Sequence, residues 1–172
     1  MTTATQLDPG IFTTVSNRRI LHPLQLRNEV LFHKEKTKRD SVTLNVLTTA
    51  TDVNDDNSLI NIQRKQQAAG YGKLQFHYIV GNDGFVYTGL ELNESTSLGN
   101  GDNITIGLVG SDKATLKQMS QAQIKSLVNI IAVLVKCFHK VRIQNFKFQS
   151  FEGLGQANIQ PADLRSRADR IV

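Results

Sequence analysis

The stretch from Gln75 to Gly89, QFHYIVGNDGFVYTG, constrains this chain more than any other. Phe76 to Val80 and Phe85 to Tyr87 are two β-prone runs, and Asn82, Asp83 and Gly84 between them tolerate the positive φ that a tight reversal needs. The stretch predicts a β-hairpin. The unbroken apolar run Tyr78, Ile79, Val80 predicts a strand covered on both faces, so helices must lie on the sheet.

Segments on either side supply them. Ser41 to Thr49, SVTLNVLTT, is rich in β-branched residues, with Val42, Leu44 and Val46 on one parity, and predicts a strand. After the polar loop ATDVNDDN, Ser58 is placed to cap a helix through Leu59, Ile60, Ile62 and Gln66 to Ala69, which Gly70 ends. The Asp residues of that loop lack the spacing of a calcium site and read as a solvated turn. Ile104 to Val109 is a further short strand. Ser120 followed by Gln123 resembles a capping box, and Ile124, Leu127, Val128, Ile131, Leu134, Val135 and Phe138 then recur at three and four. This is the clearest helix, and its wide apolar face must lie on the sheet. Val141 to Phe148 alternates as a last strand, and Pro161 can open a terminal helix carrying Ala162, Leu164 and Ala168. The order predicts an α/β (α+β) fold: a mixed central sheet with one hairpin, helical crossovers and helices packed on it.

The first forty residues read differently. Met1 to Gly10 has no periodicity, and Ile11 to Asp40 holds short apolar clusters between basic residues, with seven Lys or Arg against four Asp or Glu over 1–40. The division is therefore an N-terminal arm, 1–40, and a domain, 41–172. The arm's clusters are too short to form a core of their own and must dock, either on a partner or back on their own domain. Phe12, Leu21, Leu24 and Phe32 would supply buried area and Arg18 and Arg19 would orient the contact.

With 172 residues, 40% of them hydrophobic, the chain suffices for one full core. Its formal charge of +5 comes from residues spread along the sequence, so nucleic acid is not expected as a partner. The single cysteine, Cys137, excludes an internal disulfide and a thiolate metal cluster, and reads as a small core residue. No apolar run approaches the ~20 residues of a membrane span, and MTTATQLDPG lacks the plan of a signal peptide. Synthesis in a bacterial cytoplasm and no membrane contact are the expectation.

Taken together, NVLTTATDVNDDNS, an amphipathic helix, FHYIVGNDGFVYTG, ITIGLVG and a long helix opened by SQAQ resemble the type-2 N-acetylmuramoyl-L-alanine amidase fold, which phage endolysins and peptidoglycan recognition proteins share. The resemblance covers about Val42 to Leu164 and leaves the arm outside. It implies a zinc ion held by two His and a Cys or Asp, with a catalytic Tyr on the hairpin strand. A catalytic zinc needs about three protein ligands and an open position for water. At the first ligand position this chain has Leu47, followed by Thr48 and Thr49; at the second the match is Ser150; at the third it is Gln160, before Pro161; and Phe76 stands for the Tyr. The four histidines, His22, His33, His77 and His139, have no spacing that suggests a shared ion. No metal or other cofactor is expected, and Thr48, Thr49, Ser97 and Glu152 read as lining a degenerate cleft suited to a polar ligand.

Three functions follow from the resemblance. The first is a non-catalytic amidase-fold protein, a phage-encoded structural or interaction module of the tail or baseplate type, contacting other virion proteins or itself through the arm. The second is a module that binds a muropeptide or another small ligand. The third is a zinc amidase whose ligands lie elsewhere.

Overall fold

In the computed structural model of the chain, the described residues are 19–20, 23–37, 40–50, 59–72, 74–90, 92, 96, 103–110, 114–115, 119–144 and 155–171. Among them the elements in chain order are β1 (Arg19–Ile20), α1 (Pro23–Thr37), β2 (Ser41–Thr48), α2 (Leu59–Ala68), β3 (Tyr78–Val80), β4 (Val86–Thr88), β5 (Asn103–Leu108), β6 (Ala114–Thr115), α3 (Gln121–Cys137), β7 (Lys140–Gln144), β8 (Gly155–Asn158) and α4 (Pro161–Asp169).

The hairpin forms as its residues require. Gly84 takes φ +87°, Gly84 N–H donates to the Gly81 oxygen at 2.9 Å, and β3 and β4 pair antiparallel from Tyr78↔Thr88 to Val80↔Val86. Gly84 also lies against α3, where a Cβ would stand 2.9 Å from that of Ala122, so the turn is fitted to the helix as well as to its own geometry. The strands at the sheet centre are parallel. β3 pairs with β5, and β5 pairs with β2 from Thr43↔Asn103 to Thr48↔Leu108. The connections between parallel strands of the sheet contain α2 and α3, the helical crossovers that the element order demands.

The far edge of β2 is divided. β7 runs parallel to it along Ser41 to Asn45, and β8 pairs antiparallel with Leu47 and Thr48, with β6 beyond β8. Arg165 of α4 donates from Nη1 to the Val141 oxygen at 3.2 Å, which engages a carbonyl of edge strand β7.

Alternation along β2 divides the core. Val42, Leu44 and Val46, with Ile104, Ile106 and Leu108 of β5 and Tyr78 and Val80 of β3, face α3. That helix buries Leu127, Val128, Ile130, Ile131 and Leu134, largely the face its periodicity predicts. Ser120 caps it, accepting from Gln123 N–H at 3.0 Å. The second half of the expected capping box does not form. The Gln123 side chain turns inward instead and donates to the oxygens of Val80 and Val109, both at 3.0 Å, tying the ends of β3 and β5 to the helix.

The part of 1–40 that is described lies on the domain. β1 pairs with the hairpin edge, Arg19↔Tyr87 and Ile20↔Val86. α1 packs against α3, with Leu26 and Val30 buried in the same core as Val42, Leu44 and Val46 of β2. Of the residues expected to meet a partner, Arg19 lies in β1 and Leu24 in α1, and Phe32 is 64% exposed; Phe12, Arg18 and Leu21 lie outside the described residues. No helix among the described residues is long and apolar enough to cross a membrane.

Candidate functional site

The opposite face of the sheet carries Asn45 and Leu47 of β2, Asn103, Thr105 and Gly107 of β5, and Ile79 of β3, because paired residues share a face. Gly107 lies between Leu47 and Ile79 in register, and the Phe76 ring packs directly on it: a Cβ at Gly107 would stand 2.7–2.8 Å from three ring carbons. Only glycine leaves room for the ring there. Leu47 and Phe76 are both fully buried and share one apolar cluster with Ile62 of α2, Leu74, Ile79, Leu90 and Val109, against which Tyr71 and Tyr87 pack half-buried.

The two sequence positions expected to carry zinc chemistry are therefore brought together, but as hydrocarbon. Leu47 offers no donor atom, and the space beside it is taken by carbon. These residues do not fit a zinc ion, whose ligands must be nitrogen, sulfur or oxygen. Among the described residues no three His, Cys, Asp or Glu side chains come together.

The remaining cleft positions separate. Thr49 is buried and its Oγ1 accepts from Gly110 N–H at 3.4 Å. Thr48 has the parity of Val46, so it points to the α3 face rather than into a cleft beside Leu47, and its Oγ1 accepts from Ala50 N–H at 3.3 Å. Gln160 is exposed at the start of α4 and makes no side-chain cap. Ser97, Ser150 and Glu152 lie outside the described residues, as do the Asp residues of the 51–58 loop.

Beside the apolar cluster runs a polar row that the sequence did not signal. Gln144 donates from Nε2 to Asn45 Oδ1 at 2.9 Å, and Asn45 donates from Nδ2 to Asn103 Oδ1 at 2.9 Å, linking β7, β2 and β5. His77 is fully buried, and its Nδ1 accepts from Thr105 N–H at 2.9 Å, so the ring is held with that nitrogen unprotonated. This is a hydrogen-bonded structural histidine. Gln66, on the α2 face that carries Ile62, accepts at Oε1 from Gln75 N–H at 2.8 Å, while its buried Nε2 has no partner among the described residues. Ala50, just past the strand, has φ +55°, and its oxygen accepts from Lys65 Nζ of α2.

No protein-family model matches the sequence, and no curated protein matches it. Solved structures do. An endolysin N-acetylmuramoyl-L-alanine amidase, LysCS from Clostridium intestinale, superposes with a TM-score of 0.60 at 12% identity, over 92% of this chain and 94% of that one. The peptidoglycan recognition protein PGRP-Hd from Alvinella pompejana gives 0.50 at 18% identity, over 76% and 84%. At these identities the likeness concerns the fold. The chain has the fold shared by N-acetylmuramoyl-L-alanine amidases and peptidoglycan recognition proteins.

Proposed function

We propose that this protein is a non-catalytic amidase-fold module that binds peptidoglycan fragments. The observation that supports the reading is the apolar cluster of Leu47 with the Phe76 ring packed on Gly107, which sets carbon at the two positions that the resemblance assigns to a zinc ligand and a catalytic tyrosine. Hydrolysis of an amide by a metal-bound water has no support from such a floor, whereas binding needs only shape and polar partners around it. The likeness to one protein described as an amidase and another as a peptidoglycan recognition protein favours a wall fragment as the ligand class.

Elemental analysis, a lytic assay and calorimetric titration with soluble muropeptides test this together. The expected outcome is no stoichiometric zinc, no lysis and saturable binding. One zinc per chain with lysis abolished by chelation overturns the non-catalytic part, and absence of muropeptide binding overturns the ligand.

A second reading, an interaction module of a phage tail or baseplate, is favoured by adjacent Leu31 and Phe32 on α1, 39% and 64% exposed. Co-purification with virions, lost in Phe32→Ser, tests it.

A further inference from the structure

Four large apolar side chains are exposed among the described residues: Leu31 and Phe32 on α1, Ile171 after α4, and Phe85 in the hairpin. The first three belong to the side of the sheet where α1 and α4 pack on α3. Phe85 does not. Its oxygen accepts from Gly81 N–H at 2.9 Å, which extends the ladder of β3 and β4 one step beyond Val80↔Val86. Val86 is buried in the α3-facing core, so strand alternation turns Phe85 and Tyr87 to the opposite face, that of Leu47. Tyr87 packs half-buried on the cluster that holds Leu47 and Phe76, and Phe85 is 44% exposed. The two side chains leave the strand roughly 7 Å apart. Together they carry an aromatic surface from the apolar floor out to the hairpin turn.

The turn is held through the backbone of Phe85, whose N–H donates to Asp83 Oδ1 at 3.0 Å and whose oxygen engages Gly81. Many residues could supply that backbone, so the turn does not account for an aromatic ring turned half to solvent. The charged residues adjoining the strip in chain or register are Asp83 and Arg19, the latter paired with Tyr87. Their charges oppose, and no net field at the strip favours an ion of either sign.

We propose, on the reading that this face binds a wall fragment, that Tyr87 and Phe85 hold the uncharged, N-acetylated sugar chain of that fragment rather than its stem peptide. A pyranose ring carries C–H groups on its faces and hydroxyls at its rim, so it can lie on an aromatic face while the hydroxyls stay in water or meet a polar tip such as the Tyr87 phenol. A stem peptide brings carboxylates that call for cations. A nucleic acid strand also stacks on rings, but its phosphates need a positively charged groove beside them. Asp83 and Arg19 offset one another and supply none.

Titration of the full chain with a soluble chito-oligosaccharide, with free stem peptide and with a single-stranded DNA oligomer tests the assignment. The oligosaccharide should bind with an affinity that salt leaves unchanged, and Phe85→Ala and Tyr87→Ala should each lower it about five- to tenfold. Phe85→Trp and Tyr87→Phe keep a ring and should hold it within about threefold. Phe32→Ala, which removes the exposed ring on α1, and Arg19→Ala should change nothing. No binding of the oligosaccharide, unchanged affinity in Phe85→Ala, or an equal loss in Phe32→Ala overturns the strip. Stem peptide or DNA bound as tightly as the oligosaccharide, or an affinity lost with salt or in Arg19→Ala, overturns the uncharged sugar as its ligand. Muropeptide bound equally by wild type and Phe85→Ala leaves the cleft reading standing without this one, and oligosaccharide bound without muropeptide does the reverse, so the two failures are distinct.

Discussion

Replacing Gln123 tests the way the long helix is joined to the sheet. Its side chain is 1% exposed, and Nε2 donates to the oxygens of Val80 and Val109. The Val80 oxygen also accepts from Val109 N–H at 3.0 Å, so Gln123→Met leaves it one bond, while the Val109 oxygen loses this donor. A buried carbonyl left without its donor costs about 1–3 kcal/mol, and loss of a second bond at a carbonyl still satisfied costs about 0.5–1.5 kcal/mol. Together these give about 1.5–4.5 kcal/mol. Gln123→Glu keeps the shape but turns a carboxylate towards two carbonyl oxygens in a buried place. The α3 N-terminus offsets only about 0.3–1 kcal/mol of that, and unpaired burial of charge costs more. The fold therefore favours the protonated acid, raising its folded pKa above the unfolded value of about 4.3. The added penalty is absent below that value and develops as pH rises through the folded pKa. Denaturant unfolding at pH 7 and pH 4 should show Gln123→Glu less stable than Gln123→Met at pH 7, with the gap closing at pH 4. A loss below ~0.5 kcal/mol in both variants, or a gap independent of pH, would refute the reasoning.

Four further outcomes are expected. Gly107→Ala should cost about 1–3 kcal/mol by driving a methyl into the Phe76 ring, and Phe76→Leu in the same chain should recover part of it; additive losses in denaturant unfolding would show that the two do not touch. Ala50→Gly should raise stability by up to about 1 kcal/mol, since φ +55° disfavours a Cβ and the gain is reduced by the freer unfolded chain. Burial pushes the Cys137 thiol up despite Arg27, Lys34 and Lys136, so its contribution to stability is complete below the unfolded thiol pKa and is lost as pH rises through the folded one. Wild type should lose more stability than Cys137→Ala on going from neutral to strongly alkaline pH, and equal losses would place the thiol in solvent. Leu26→Ala should cost about 2–5 kcal/mol and Phe32→Ala less than ~0.5 kcal/mol by thermal unfolding; the reverse order would mean that α1 presents its other side to α3.

What the sequence made legible follows the strength of local pattern. The hairpin and α3 were clear because turn chemistry and three-four periodicity each point to one structure, and they occur almost where expected. α1 was not, for a physical reason. Its buried residues Leu26 and Val30 share a face, but Leu31 and Phe32 are turned to solvent, so apolar residues surround the helix and no stripe stands out. β1 and β6, at two residues each, are too short to carry any alternation. The divided edge of β2 depends on where β7 and β8 arrive, which no local pattern encodes.

The site was legible in the same uneven way. Leu47 and Phe76 stood out because the resembling family has polar groups at those positions, and the fold does bring them together. Gly107 carried no signal of its own, since a glycine in a strand has several uses. Yet it is Gly107 that lets the Phe76 ring pack beside Leu47, with Ile62, Leu74, Leu90 and Val109 enclosing them. Removal of a metal ligand leaves a polar hole that costs stability until it is filled. Around Leu47 no such hole is present: a leucine, a ring without a hydroxyl and aliphatic residues from four separate segments form one buried apolar cluster. A single change such as Leu47→His would bury an imidazole among carbon, and no three His, Cys, Asp or Glu side chains come together among the described residues to complete a zinc site. The carbon around Leu47 is thus a property of the whole cluster rather than of one position.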